Sequence, residues 1–169
     1  MSAASLLASL FQYKAWANEE LFALMQSVDA ATHDSERHAA IRILNHIYVV
    51  DRIFAGHLQG VAHGYAATNT PETPSLDALH EAVRRTDRWY VEHIAGLSAD
   101  ALAEAIPFTF TDGSAACMTR EEMLAHVATH GGYHRGAVGR ILAQLGIAPP
   151  RDIFSGFLHK AEPGRRKSS

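Results

Sequence analysis

The chain has one cysteine, Cys117, among its 169 residues. A lone thiol closes no intrachain disulfide and builds no cysteine-rich zinc site, so Cys117 is expected to be a small packing residue. No apolar run approaches the roughly 18 residues that a membrane-spanning helix needs. The N-terminus carries neither the basic stretch nor the apolar core of a secretory signal. The expected setting is therefore cytoplasmic, with no membrane as partner. Nor is there an excess of basic residues. Lys and Arg number 15 against 18 Asp and Glu, a net charge of −3, which argues against nucleic acid as a partner. The short basic run from Arg165 to Lys167 is expected to be a disordered end. Two metal-site patterns are also missing. No Glu-x-x-His pairs face inward as a di-iron bundle requires, and Gly131 stands where the H-E-x-x-H motif of zinc proteases places its general base.

What is present reads as one soluble domain, 47% hydrophobic and 20% charged, long enough for a substantial core. Helical periodicity runs from about Ala3 to Val28, through Leu6, Leu10, Tyr13, Ala17, Leu21 and Leu24. Asp34 or Ser35 can cap a second helix reaching Gln59. Residues 60–75 (GVAHGYAATNTPETPS) form a Gly-, Thr- and Pro-rich loop, long for a helix hairpin and suited to a crossover. Ser75 caps a third helix ending near Ala95, before Gly96, and Ser98 to Ala103 add a short turn. The stretch from Ile106 to Cys117 alternates around Asp112-Gly113 and predicts an extended or hairpin-like excursion. Thr119, with Glu122 as its capping-box partner, opens a further helix that reaches Leu145. Gly146 stops it, with Pro149 and Pro150 beyond. No internal repeat is visible. The expectation is an all-α four-helix bundle over residues 1–148, up-down-down-up, with a C-terminal extension over 149–169.

The chain holds 11 histidines, and two stand out. His130 and His134 are four residues apart, just over one helical turn, so both rings point the same way. They fall on the stripe Met123, Val127, His130, His134, Val138, Ile141, Leu145. Imidazoles buried in a helical core are costly unless something ligates them. On the second helix the stripe Ala39, Ile43, His46, Val50, Ile53, His57 carries a third histidine near mid-helix, level with the pair. His57 lies about 16 Å further along at 1.5 Å per residue and should miss that level, and His126 sits on the flank of its stripe. The geometry nominates His46, His130 and His134 as ligands of one divalent metal ion.

Three stretches carry a family resemblance: FQYKAWANEELF (Phe11–Phe22), ILNHIYVVDRIF (Ile43–Phe54) and MLAHVATHGGYHRGAV (Met123–Val138). In order and spacing they resemble the DinB/YfiT-like family of metal-binding four-helix bundles. The resemblance implies the long crossover between the second and third helices, and it implies His46, His130 and His134 as the metal ligands. Where the family often has Gln after H-R-G, this chain has Ala137, which removes any polar contact from that position. Characterised relatives are similar to transferases or isomerases that use a low-molecular-weight thiol such as bacillithiol, mycothiol or glutathione; other members are known only as metal binders. Family members often pair as homodimers.

Three neutral ligands leave the ion its full charge and an open position, the pattern of a catalytic site. Imidazole suits Zn, Ni, Cu and Fe alike. The expected function is a metalloenzyme that activates a thiolate or water, a transferase joining a small-molecule thiol to an electrophilic substrate. The alternatives are a non-catalytic metal-binding or dimerising bundle, and a metal-dependent hydrolase. A hydrolase would want a general base near the metal. The nearest acid in sequence, Asp51, lies about 140° round the helix from His46 and is expected in a surface or interhelix ion pair, with Arg135 as a possible partner. Tyr13 and Trp16 are expected to pack, and Asn18 and Glu19 suggest no chemistry. Gly131, Gly132, Gly136 and Gly139 weaken the helix but allow close approach of a neighbour.

Overall fold

The computed structural model describes residues 2–165. Four long helices dominate: α1 (Ala3–Gln26), α2 (Asp34–Gln59), α3 (Leu76–Ala95) and α5 (Arg120–Gln144). A short α4 (Ala99–Ala103) and a hairpin of β1 (Ala105–Thr109) and β2 (Ala115–Thr119) join α3 to α5, and α6 (Phe154–Ala161) follows the bundle. The basic run beyond Arg165 lies outside the described residues. Among the described residues no helix is long and apolar enough to cross a membrane.

The helix starts follow capping chemistry closely. Ser75 and Ser98 accept the amide N–H groups of Ala78 and Ala101. Thr119 and Glu122 form a reciprocal capping box at the head of α5, satisfying two donors that a helix start leaves free. The start of α2 departs from expectation. Its N-cap is His33, which makes no side-chain cap, and Asp34 is already helical. Asp29 takes over upstream, accepting from the amides of Ala31 and Thr32 at 3.1 and 3.2 Å. Asp29 thus closes the turn before the helix, and the first amides of α2 have no side-chain cap. α1 stops two residues early, at Gln26, where the Ser27 hydroxyl donates to the Leu24 carbonyl. The hairpin is regular, with Ile106 opposite Met118 and Phe108 opposite Ala116. Gly113, at φ +89°, makes the turn. Cys117 faces solvent on β2 instead of packing, because only the Phe108 side of the hairpin lies on the bundle.

Cross-helix contacts define the directions. Phe11 stacks on Tyr90 while Phe22 stacks on His80, so α1 and α3 are antiparallel. Phe54 meets His126 while His46 meets His130 and His134, so α2 and α5 are antiparallel. Lys14 lies at Gly131 and Asn18 bonds Arg135, so α1 and α5 run together. The result is the expected up-down-down-up bundle, with residues 60–75 as its crossover.

The core has two apolar halves. One gathers Leu7, Phe11, Phe54, Tyr90, Met123 and Val127; the other gathers Leu21, Met25, Leu44, Ile47, Leu79 and Val138. Between them, at mid-height, lies a buried polar layer of Lys14, Asn18, Asp51, Asp87 and Arg135. Ala17, Leu21, Val50, Ile53, Met123, Val127 and Val138 are buried as the stripes predict, but this layer turns part of each buried face away from the stripe read in the sequence. α1 buries Leu7, Phe11, Lys14 and Asn18, while Leu6 is 40% exposed. α2 buries Ala40, Leu44, Ile47 and Asp51, while Ala39 is exposed and Ile43 and His46 are half-buried. α5 centres on Val127, Gly131, Arg135 and Val138, so His130 and His134 stand on its shoulder. At about 100° per residue, a reading displaced by one position turns the whole face.

Candidate metal centre

α2 and α5 bring His46, His130 and His134 together. One ring nitrogen from each lies within 4.8 Å of the other two, and all three side chains are half-buried. The Nε2 atoms of His46 and His130 are 3.0 Å apart. His46 Nδ1 lies 2.7 Å from the carbonyl oxygen of Thr68. A carbonyl only accepts, so Nδ1 carries a proton and it is Nε2 that faces the cluster.

That orientation comes from the crossover loop. Asn45, beside His46, donates to Thr70 Oγ1 at 2.6 Å and also to Asn69 Oδ1. Asn69 Nδ2 returns a bond to the Arg42 carbonyl at 3.0 Å. Arg42 holds the carbonyl of Thr70 at 2.7 Å. Two turns of α2 thus fasten the segment that presents the Thr68 carbonyl. Such outer contacts fix ring orientation and ligand basicity. Thr68 was not foreseen, because a backbone acceptor has no side-chain signature; the polar side chains of Asn45 and Asn69 are the readable trace.

The electrostatics favour neutral rings. Burial, reinforced by His134 and His46, pushes His130 down to about 3. Burial and His46 also lower His134. His130 Nδ1 is buried without a partner. The donor set fits a divalent transition ion: bonds of about 2.0–2.1 Å at tetrahedral angles separate two ligand nitrogens by about 3.3 Å, close to the 3.0 Å between His46 and His130. Among the described residues no carboxylate joins the cluster.

The other residues singled out take structural places. Asp51 is 2% exposed, and its partner is Lys14 at 2.6 Å, not Arg135. Lys14 also reaches Asp87 at 2.6 Å. Asn18 donates to Asp87 at 2.7 Å and accepts from Arg135 at 3.3 Å, so it has a defined polar role after all. Burial, with Asp87 adding to it and Lys14 opposing, raises the Asp51 carboxyl to about 6. Burial works to lower the Lys14 pKa, but the two carboxylates override it and hold it above the ordinary value. Gly131 makes the layer possible: a Cβ there would lie 3.1 Å from Arg135 Nη1 and 3.4 Å from Lys14 Cε. Arg135 itself pairs with Asp152 at 2.8 Å. Tyr13 and Trp16 pack against Phe154 and Phe157 of α6. His126 stays on the flank, its ring 5.4 Å from that of His130. His57 misses the cluster and meets His63 and Phe108 instead.

Two cavities frame this region. One of about 190 Å³ is bounded by His46 and His130. A larger one, about 350 Å³, lies between α1, α5 and the chain after α5, beside Arg135, Arg140 and Asp152, and touches none of the three histidines. Size alone would favour the second, but of these two only the first adjoins the histidine cluster.

Fold and site together define a helical bundle with a three-histidine cluster able to hold a metal ion. The DinB family model matches residues 1–166, and the chain belongs to the DinB family. It is similar to Protein DinB of Bacillus subtilis (strain 168), at 23% identity over 149 residues, covering 82% of this chain and 86% of that protein. No solved structure matches the chain significantly.

Proposed function

We propose that this protein is a metalloenzyme in which His46, His130 and His134 hold one divalent transition ion, zinc, nickel or iron, and that it transfers a low-molecular-weight thiol to an electrophile. The observation that carries this reading is the convergence of three imidazoles, joined by no carboxylate among the described residues, with His46 and His130 at the edge of a cavity. Three neutral ligands leave the ion's charge uncompensated, and when bound it supplies a Lewis-acid centre for activating a thiolate or a water. The chain's own residues do the rest. Thr68 holds the His46 ring in one tautomer, burial keeps His130 unprotonated, and the apolar wall beside them limits water.

Thiol chemistry is ranked ahead of hydrolysis because, among the described residues, no carboxylate joins the cluster to act as base; the nearby imidazole of His126 is the group a hydrolase would have to use. Asp51, the nearest acid in sequence to His46, is committed to Lys14, and a hydrolase needs a base at the attacking water. Purified protein, metal-loaded and chelator-stripped, should be assayed for consumption of glutathione, bacillithiol and mycothiol against a panel of electrophiles. Metal-dependent thiol loss on at least one electrophile is expected. Hydrolysis of the panel without thiol, or metal binding with no turnover, would replace this reading with a hydrolase or a non-catalytic bundle.

A further inference from the structure

The smaller cavity has a composition that says what it takes. Its walls are Val50, Ile53 and Phe54 of α2, and Phe108 and Phe110 from the hairpin. No Asp, Glu, Lys or Arg lines it; the polar groups are two threonines, Thr68 and Thr111, and the histidines. Burial and the neighbouring His63 lower the pKa of His57, so it adds no charge near neutral pH. Phe54 faces the His126 ring at 4.6 Å, and Phe108 meets Phe110 edge-on at 4.8 Å. A charged group entering here would shed its water and find no counter-charge. A planar apolar group would bury its surface and meet ring faces and edges. Size narrows the class further: an apolar cavity of about 150 Å³ takes benzene, so about 190 Å³ holds one ring with one or two further heavy atoms.

We propose that this cavity seats an uncharged, single-ring apolar group of the electrophilic substrate beside the three histidines, while the charged parts of the thiol stay outside it. What the seated group undergoes rests on the reading of the triad as a reaction centre; that it binds here does not. The fold makes the seat from three separate elements. α2 supplies one wall, the hairpin supplies a second through Phe108 and Phe110, and α5 closes the end with His126 and His130. The hairpin is an insertion between α4 and α5, so its turn residues set the cavity's mouth without disturbing the ligand helices.

The test uses three single-ring probes of different charge: benzyl alcohol and benzylamine, each with two heavy atoms beyond the ring, and benzoate, with three. Binding to the full chain, zinc-free and zinc-loaded, is read by ligand-observed saturation-transfer NMR. Saturable binding of the alcohol in both forms is expected, with the benzoate and the amine at least tenfold weaker in the zinc-free form, where no ion offers the carboxylate a ligand position. Thr111→Trp, at the half-exposed mouth, should abolish alcohol binding while leaving the circular dichroism and zinc affinity unchanged. His134→Ala should lose zinc yet still bind the alcohol, which separates the seat from the metal. Equal binding of the charged probes to the zinc-free form, alcohol binding that survives Thr111→Trp, or no saturable binding in either form would each overturn the proposal.

Discussion

At the scale of single residues, His130 is a ligand candidate whose environment departs sharply from that of its free side chain. It is held near 3 in the fold against an ordinary 6.5. Below about pH 6.5 the unfolded chain takes a proton that the folded one refuses, so acidification towards pH 3 costs stability. Asp51 works in the opposite sense. Its carboxyl is raised from 3.8 to about 6, so the fold retains a proton that the unfolded chain has lost, and stability falls as pH rises from about 4 to 6. The two overlap, and a difference measurement isolates the histidine. Urea unfolding of metal-free wild type and His130→Gln between pH 4 and 7 should show the wild type losing stability relative to the variant on acidification. Parallel pH profiles would show that His130 is solvated like a free imidazole. The three ligand candidates themselves were legible in the sequence, because spacing of four along α5 and a matching level on α2 are one-dimensional facts. Their half-exposure was not, since it depends on which neighbours fill the centre.

Among the elements, the fastening of the crossover to α2 is the arrangement with a direct consequence for the site. Asn45 holds Asn69 and Thr70, and that segment carries the carbonyl that orients His46. Loss of an outer contact of this kind typically lowers metal affinity by about 10–100-fold. Asn45→Ala is therefore expected to weaken zinc binding by at least about tenfold in a calorimetric titration while the helical signal is kept; unchanged affinity would show that the loop orients nothing. Helix ends and the crossover were readable from Ser75, Ser98, Thr119 and the Pro/Gly-rich run, because capping is local chemistry. The apolar stripes of α1, α2 and α5 match the buried faces only in part, and for a shared reason. Each true face contains a polar residue, Lys14, Asp51 or Arg135, and a pattern search for apolar positions slides to the neighbouring stripe. α6 escaped notice because its two turns were too short to display a period, although Phe154, Phe157 and Leu158 mark one side of it.

For the molecule as a whole, the polar layer divides the core at the same height as the histidine cluster. Lys14 is 1% exposed and faces two carboxylates at 2.6 Å. Removing one member of a buried ion group costs about 3–5 kcal/mol, whereas replacing the whole group by apolar residues can be neutral. Lys14→Met should therefore lower the melting temperature by on the order of 10 °C, and adding Asp51→Leu and Asp87→Leu should restore much of it. A melting temperature unmoved by Lys14→Met would mean that the layer is solvated. The layer is a structural device in this account, and the chemistry belongs to the half-buried edge where α2 and α5 meet.

The most direct test of that division is a zinc titration of chelator-stripped protein purified without a nickel column, with wild type beside His134→Ala and Lys14→Met. The wild type should take up one ion per chain, and His134→Ala should lose at least about 100-fold in affinity while remaining helical. Lys14→Met, where it stays folded, should bind as the wild type does. Uptake in His134→Ala equal to that of the wild type would contradict the assignment of the three histidines to one metal ion.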